Sequence, residues 1–306
     1  MLDSPLLDNA DKSLARPLQP GLAKARADVL AAARDLLTVP EEALTKAWTW
    51  KGGSEEEVRY GAYRAAEALE QAEIEARSAV AATEPGERRA ARIVGPATAA
   101  RWDLHGLLLP LDDALLDADP GGGEWSIRLT LGHIISSQRA YGWGTAWWQA
   151  HGHDANDPAL PDGAPNAFWV TLPDEAATEA EGELDDLQAR LDTILDLSAE
   201  RLAGLPDDRL ELGARWSGFP VTVGFRLGRW ASHIREHGIQ IEKIFAMIGH
   251  VPTEPARLVR NMLAAYGRAE SVVFARAGVD DAVGRIAAGA AEARRAIDSA
   301  REAASV

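Results

Sequence analysis

Three histidines carry the chemistry this sequence can offer: His133, His233 and His237. The last two stand four apart in RWASHIREHGIQIEK, a strongly helical stretch. Four residues is about one helical turn, so both imidazoles project from one face. Neutral imidazole is the commonest metal ligand, and such a pair can share one divalent ion. A third imidazole from a neighbouring helix completes a three-ligand set with open positions for water or substrate, the pattern of a catalytic metal. Three imidazoles suit zinc or nickel best, with iron or copper as alternatives. The two-His-one-carboxylate set of an oxygenase iron is not what the pattern offers.

Each neighbour of the triad has a chemical reading and a plain one. The string His233-Ile-Arg-Glu236-His237 satisfies H-x-x-E-H, the signature of inverted zinc proteases with the Glu as base. Those enzymes need a larger α+β scaffold and a further acidic ligand downstream, and neither is visible. Glu236 lies about 100° around the helix from His237, so it reads as a surface carboxylate or one that hydrogen-bonds an imidazole from outside. Gln240 reads as a residue that orients a ligand in the same way. Arg226, Arg229 and Trp230 precede His233 by seven, four and three residues. Arg226 and Trp230 are placed to line a pocket above the metal, where a buried Arg would hold a carboxylate bidentately. The plain reading pairs Arg226 or Arg229 with a surface acid. Ser137, Tyr141 and Trp148 follow His133 at four, eight and fifteen residues. Tyr141 is a candidate for positioning substrate. The cluster Trp143, Trp147 and Trp148 either walls an apolar pocket or fills the core. His105, His151, His153 and His250 read as ordinary core or surface histidines, with His151-Gly-His153 as the reserve ligand pair.

The elements that must hold these residues are helices, and the chain reads as all-α. Residues 1–20 form an irregular arm. Apolar spacing predicts a helix from Leu22 to Leu37, broken by Pro40. Ser54 and Glu57 read as a capping box opening a helix that runs to about Val80. Residues 81–90 look like a hinge. A second set follows: one helix over 97–118 with a kink at Pro110, one over 127–150 capped by Ser126, one over 181–204, and one over 223–248 capped by Thr222 and closed by Gly249. The Pro-, Gly- and Asp-rich segment 151–180 is a long crossover between the second and third of these, which suggests a four-helix bundle with a crossover. Convincing alternating strands are absent, and the runs FWVTL and FPVTV are short and lack partners. Helices over 254–275 and 279–304 complete the chain, broken at Gly278. The expected domains are therefore 21–90, 91–250 and 251–306, the first and last packing together as a second bundle without metal.

Composition narrows the function classes. The chain has 306 residues and a net charge of −15, so the basic footprint of a nucleic-acid binder is missing and anionic membrane surfaces are disfavoured. No apolar run approaches the ~20 residues of a membrane helix, and no signal-peptide pattern opens the chain, so a cytoplasmic protein is expected. There are no cysteines. Disulfides, thiolate ligands and a cysteine nucleophile are excluded, and any reactive sulfur must arrive on a cosubstrate. Arg well outnumbers Lys and Ala is abundant, a mix associated with GC-rich bacterial genomes.

Two stretches carry a family resemblance. EWSIRLTLGHIISSQRAY places a Trp and a helix cap ahead of a histidine, and TVGFRLGRWASHIREHGIQIEK places a Gln-Ile pair after an HxxxH. Over roughly 97–250 the chain resembles the DinB/YfiT-like family of metal-dependent four-helix-bundle proteins. The resemblance implies a DinB-like bundle whose metal ligands are His133, His233 and His237. It also implies a small-molecule substrate and use of mycothiol, bacillithiol or glutathione, by an S-transferase or a thiol-dependent isomerase. A metal-dependent hydrolase using bound hydroxide is an alternative. Another is a non-enzymatic metal-binding or stress-response module, whose flanking helices could form a homodimer surface. A structural metal in that module would need a fourth protein ligand.

Overall fold

Several helix boundaries in this chain fall where proline, glycine or a hydroxyl side chain makes them fall. The computed structural model describes residues 19–83, 89–150, 179–216 and 219–305, except for the side chains of Trp147, Trp148, Ala150 and Arg215. Helix α1 (Pro20–Leu37) opens on a proline, whose missing N–H costs nothing in the first turn. A 3-10 turn (Glu41–Thr45) leads into a hairpin of β1 (Ala47–Thr49) and β2 (Glu55–Glu57). Then come α2 (Tyr60–Thr83), α3 (Arg89–Leu108) and α4 (Ile127–Gln138). A π-helical turn (Arg139–Trp143) carries α4 into α5 (Gly144–Ala150). Helix α6 (Leu184–Leu202) is followed by a second antiparallel hairpin, β3 (Gly213–Trp216) with β4 (Phe219–Thr222). Helices α7 (Val223–Ile248), α8 (Glu254–Ser271) and α9 (Asp280–Ser305) end the chain.

Caps explain several starts. The Ser126 hydroxyl accepts from the Leu129 amide at 3.3 Å, and Thr222 accepts from Phe225 at 3.1 Å. Gly249 and Gly278, at φ +71° and +74°, turn the chain after α7 and before α9 in a region that favours glycine.

Three expectations are corrected. Ser54 and Glu57 do not cap a helix: Glu55–Glu57 is β2, and α2 starts at Tyr60. The Gly53 amide donates to the Trp50 carbonyl at 2.9 Å, and Lys51 and Gly52 between them have φ of 51° and 73°. Positive φ at both central residues is the hairpin-compatible turn, which decides for strand pairing over helix. Second, α3 begins at Arg89 and carries Pro96 inside it. One proline removes one backbone hydrogen bond, which a 20-residue helix survives, and α3 stops at Leu108 before Pro110 instead of kinking there. Third, FPVT does have a partner: Trp216 pairs with Phe219 and Gly213 with Thr222. Residues 1–18 of the arm, half of the hinge (84–88) and residues 151–178 of the crossover, with FWVTL, His151 and His153, lie outside the described residues.

The chain divides into two compact units, and α3 contributes to both. One unit holds Arg89–Ala97 of α3 with α4 to α7 and the β3–β4 hairpin. Within it α4 packs on α6 and α7, and the π turn packs on both as well. Helix α6 buries Leu184, Leu187, Leu191, Ile194, Leu195, Ser198 and Leu202 on the stripe that its spacing predicts. Gly228 of α7 faces Ile93 of α3.

The other unit holds α1, α2, the hairpin β1–β2, Thr98–Leu108 of α3, α8 and α9. Helices α8 and α9 each pack on both α1 and α2. Its core contains a charged cluster. Glu270, fully buried, accepts from Arg26 Nη2 at 2.6 Å, Arg101 Nη2 at 2.8 Å and Thr98 Oγ1 at 2.7 Å. Among the described residues, no helix is long and apolar enough to cross a membrane.

Candidate metal centre

The three histidines meet inside the first unit. His133 rises from the second turn of α4, and His233 and His237 share one face of α7. One ligand nitrogen from each ring can be chosen so that all three lie within 4.8 Å of one another. The Nε2 atoms of His233 and His237 are 3.0 Å apart. Two nitrogens on one tetrahedral zinc stand roughly 3.3 Å apart, so the spacing suits a shared ion.

The electrostatics suit a cation too. Burial lowers the His133 pKa, helped by neighbouring His237. Burial first, then His237 and His133, brings His233 down to about 3. Both rings are therefore neutral near pH 7 and can offer lone pairs. His233 is buried, and its Nδ1 has no hydrogen-bond partner among the described residues. His237 Nδ1 lies 2.7 Å from Gln240 Oε1. An amide oxygen can only accept, so it holds the ring proton on Nδ1 and leaves Nε2 bare. The donor set thus fits a divalent metal.

Around the imidazoles the walls are aromatic. Trp125 tilts against His133 at 5.1 Å between ring centres, and Tyr141 stands edge-on to His233 at 5.3 Å. Tyr141 also lies 4.3 Å from Trp216 on the β3–β4 hairpin. Ser137 Oγ is 3.5 Å from His133 Nε2. Burial raises the Tyr141 pKa, although Ser137 and two arginines pull it back, so the phenol stays a proton donor. Tyr141 reaches this position from the π turn. Such single-turn widenings are frequent at functional sites.

The remaining site candidates are spread unevenly. Arg226 is buried; its Nε donates to Thr145 Oγ1 at 3.0 Å and its Nη2 to the Ala140 carbonyl at 2.7 Å. Burial lowers its pKa to about 10, which still leaves it charged. Its guanidinium therefore ties α7 to the π turn. Trp230 is fully buried, and its carbonyl accepts from Gln138. Glu236 grips Arg229 through both oxygens at 2.7 and 2.6 Å, while Arg229 stacks over Trp216. His105 packs edge-on against Trp102 in the other unit. Glu124, Lys243, Thr145 and Trp216 form part of this surround without any helical spacing to the triad that could have exposed them.

Gly142 lets the π turn approach α6. A Cβ there would collide with the Ser198 side chain and come within 3.4 Å of the Trp230 ring. Gly142→Ala should therefore cost about 1–3 kcal/mol, as overpacked sites do. Gly238→Ala on α7 has nothing within 4 Å and should instead gain up to about 1 kcal/mol of helix propensity. Urea denaturation of the two variants checks this, and a Gly142→Ala protein as stable as its parent would refute the close packing.

Residues 97–241 match the family model of the DinB superfamily. This segment belongs to the DinB superfamily. The match takes in all three histidines, the whole of α4, and α7 as far as Ile241. DinB membership and the three-His group together fit a metal-binding protein. No protein of curated function and no solved structure matches the chain.

Proposed function

We propose that this DinB-superfamily protein is a metal-dependent enzyme that uses a low-molecular-weight thiol, as an S-transferase or a thiol-dependent isomerase. The observation that carries the reading is the open donor set. His133, His233 and His237 converge, and among the described residues no carboxylate or fourth imidazole joins them. A structural site would be closed by a fourth ligand. The chain has no cysteine of its own, so the sulfur would come with the cosubstrate.

His133, His233 and His237 would hold the ion, with zinc or nickel favoured by three imidazoles. The ion would supply Lewis acidity that lowers the pKa of a thiol or water placed beside it. Tyr141, protonated and edge-on to His233, would donate a hydrogen bond to the electrophile. Trp125 and Trp216 would shield the reacting groups from water. Arg226 would act at one remove by fixing the π turn that presents Tyr141.

The test is thiol consumption. The zinc- or nickel-loaded protein is expected to consume mycothiol, bacillithiol or glutathione with at least one member of a broad electrophile panel, and Tyr141→Phe should slow that by about 100-fold or more. A fully loaded protein that consumes none of the three thiols with any electrophile would overturn the reading.

A further inference from the structure

A chain of polar contacts runs outward from the triad into the loop before α4. Gln240 Oε1 faces His237 Nδ1 at 2.7 Å. On its other side, Gln240 Nε2 donates to Glu124 Oε1 at 2.9 Å. The second oxygen of Glu124 takes the Lys243 ammonium. Glu124 and Gln240 are separated by 116 residues, yet they close a bridge between α7 and the loop that leads into α4. The next residue after Glu124 is Trp125, which touches His133, and Ser126 caps the helix that carries it.

We propose that Glu124 is a positioning residue: through Gln240 it sets which nitrogen of His237 carries the proton. Donor and acceptor types fix the place of the proton. A carboxylate can only accept. The Gln240 amide can face it only with its NH2 group, since the carbonyl would put two acceptors together. That orientation turns the carbonyl toward His237. A carbonyl in turn demands an N–H, so Nδ1 must hold the ring proton. The lone pair is then on Nε2, the atom 3.0 Å from His233 Nε2. Without Glu124 the amide is free to flip, and a flipped NH2 group would favour the tautomer whose lone pair faces away from the site. Lys243, and after it Gln240, draws the Glu124 pKa below the ordinary range, but a carboxylate is ionised at neutral pH without that help, so the acceptor does not depend on the ammonium. Its own contact lies on the oxygen that does not touch Gln240.

This deepens the metal site proposed above and rests on it only where affinity is concerned. The tautomer is read on metal-free protein, from the ring 15N shifts of His237 at neutral pH. Wild type should show the Nδ1–H form. Glu124→Ala should lose that preference, and Gln240→Ala should do the same. Zinc affinity, measured by competition with a chelating dye, should fall about tenfold in Glu124→Ala, the lower end of what a lost outer partner costs. Lys243→Met keeps the acceptor and should retain both the tautomer and the affinity within about twofold. Thermal unfolding shows that each variant is folded. Glu124→Ala with the wild-type tautomer would overturn the proposal, and so would Lys243→Met behaving like Glu124→Ala. A wild type that follows the tautomer pattern but binds no zinc would sink the metal reading and leave the control of His237 by Glu124 upheld.

Discussion

Replacing His237 with Ala should strip the protein of its metal. Purified wild type is expected to carry about one divalent ion per chain by elemental analysis, and the variant close to none. The three-imidazole set becomes a two-imidazole set, and the two survivors sit on different helices. The intact α7 pair has its Nε2 atoms 3.0 Å apart with the backbone fixed by one helical turn, so most of the ordering is done before the ion arrives. Losing a ligand should exceed the 10–100-fold that a lost outer partner costs, so affinity should drop by more than about 100-fold. His233→Ala should behave alike, whereas His133→Ala leaves the α7 pair intact and should lose less affinity. His105→Ala is the control, because that ring packs on Trp102 in the other unit. Added zinc should also raise the melting temperature of wild type, since an ion at 100 times its Kd stabilises the folded state by about 2.7 kcal/mol. His237→Ala should show no such shift. Equal metal content in wild type and His237→Ala would sink the site assignment.

The triad was legible because helix geometry converts spacing into direction. His233 and His237 need only one helical turn between them, and the Ser126 cap fixes the register of the helix that brings in His133. Gln240 was legible for the same reason, being three residues beyond His237. Glu124 was not. It lies in a loop, and its bond to Gln240 joins positions 116 apart, a pairing that no local pattern announces. The roles around Arg226 were hidden differently. Spacing placed it on the ligand face, but what a guanidinium binds depends on which carbonyls the π turn exposes, and a π turn has no signature in the apolar spacing. The helices α1, α4, α6 and α7 followed from periodicity and caps. The β1–β2 hairpin escaped because Ser54 and Glu57 satisfy a capping box as readily as they fill a turn and a strand. The deciding feature was two adjacent residues at positive φ. The division of α3 between two units escaped too, since its apolar positions show only that they are buried, not which core receives them.

Glu270→Gln should destabilise the protein by about 3–5 kcal/mol, the cost of breaking a buried ion pair from one side. Glu270 and Arg101 are both fully buried, and Arg26 nearly so. The carboxylate takes two bonds from Arg26, at 3.0 and 2.6 Å, and one each from Arg101 and Thr98. The amide keeps the shape but offers one acceptor oxygen and no charge, so two buried guanidiniums lose this counter-charge. Burial by itself would push the Glu270 carboxyl up; Arg26 and Arg101 outweigh it and bring it from 4.5 down to about 2. A folded-state pKa below the unfolded value gives stability that is complete above about pH 4.5 and lost as pH falls toward 2. At 1.36 kcal/mol per pKa unit the shift is worth on the order of 3 kcal/mol, in line with the mutational estimate. Urea titrations at pH 7 and at pH 3 therefore test the cluster twice. The Glu270→Gln deficit should be largest at pH 7 and shrink by about a kcal/mol or more at pH 3, where the unfolded chain's carboxyl holds its proton and the folded one mostly does not. Exchanging Arg26, Arg101 and Glu270 together for Met, Leu and Leu should restore most of the lost stability, because well-packed apolar groups of similar volume replace buried ion pairs at little cost. A Glu270→Gln protein within about 1 kcal/mol of wild type at pH 7, or a deficit that does not change with pH, would show that the carboxylate is not the centre of this core.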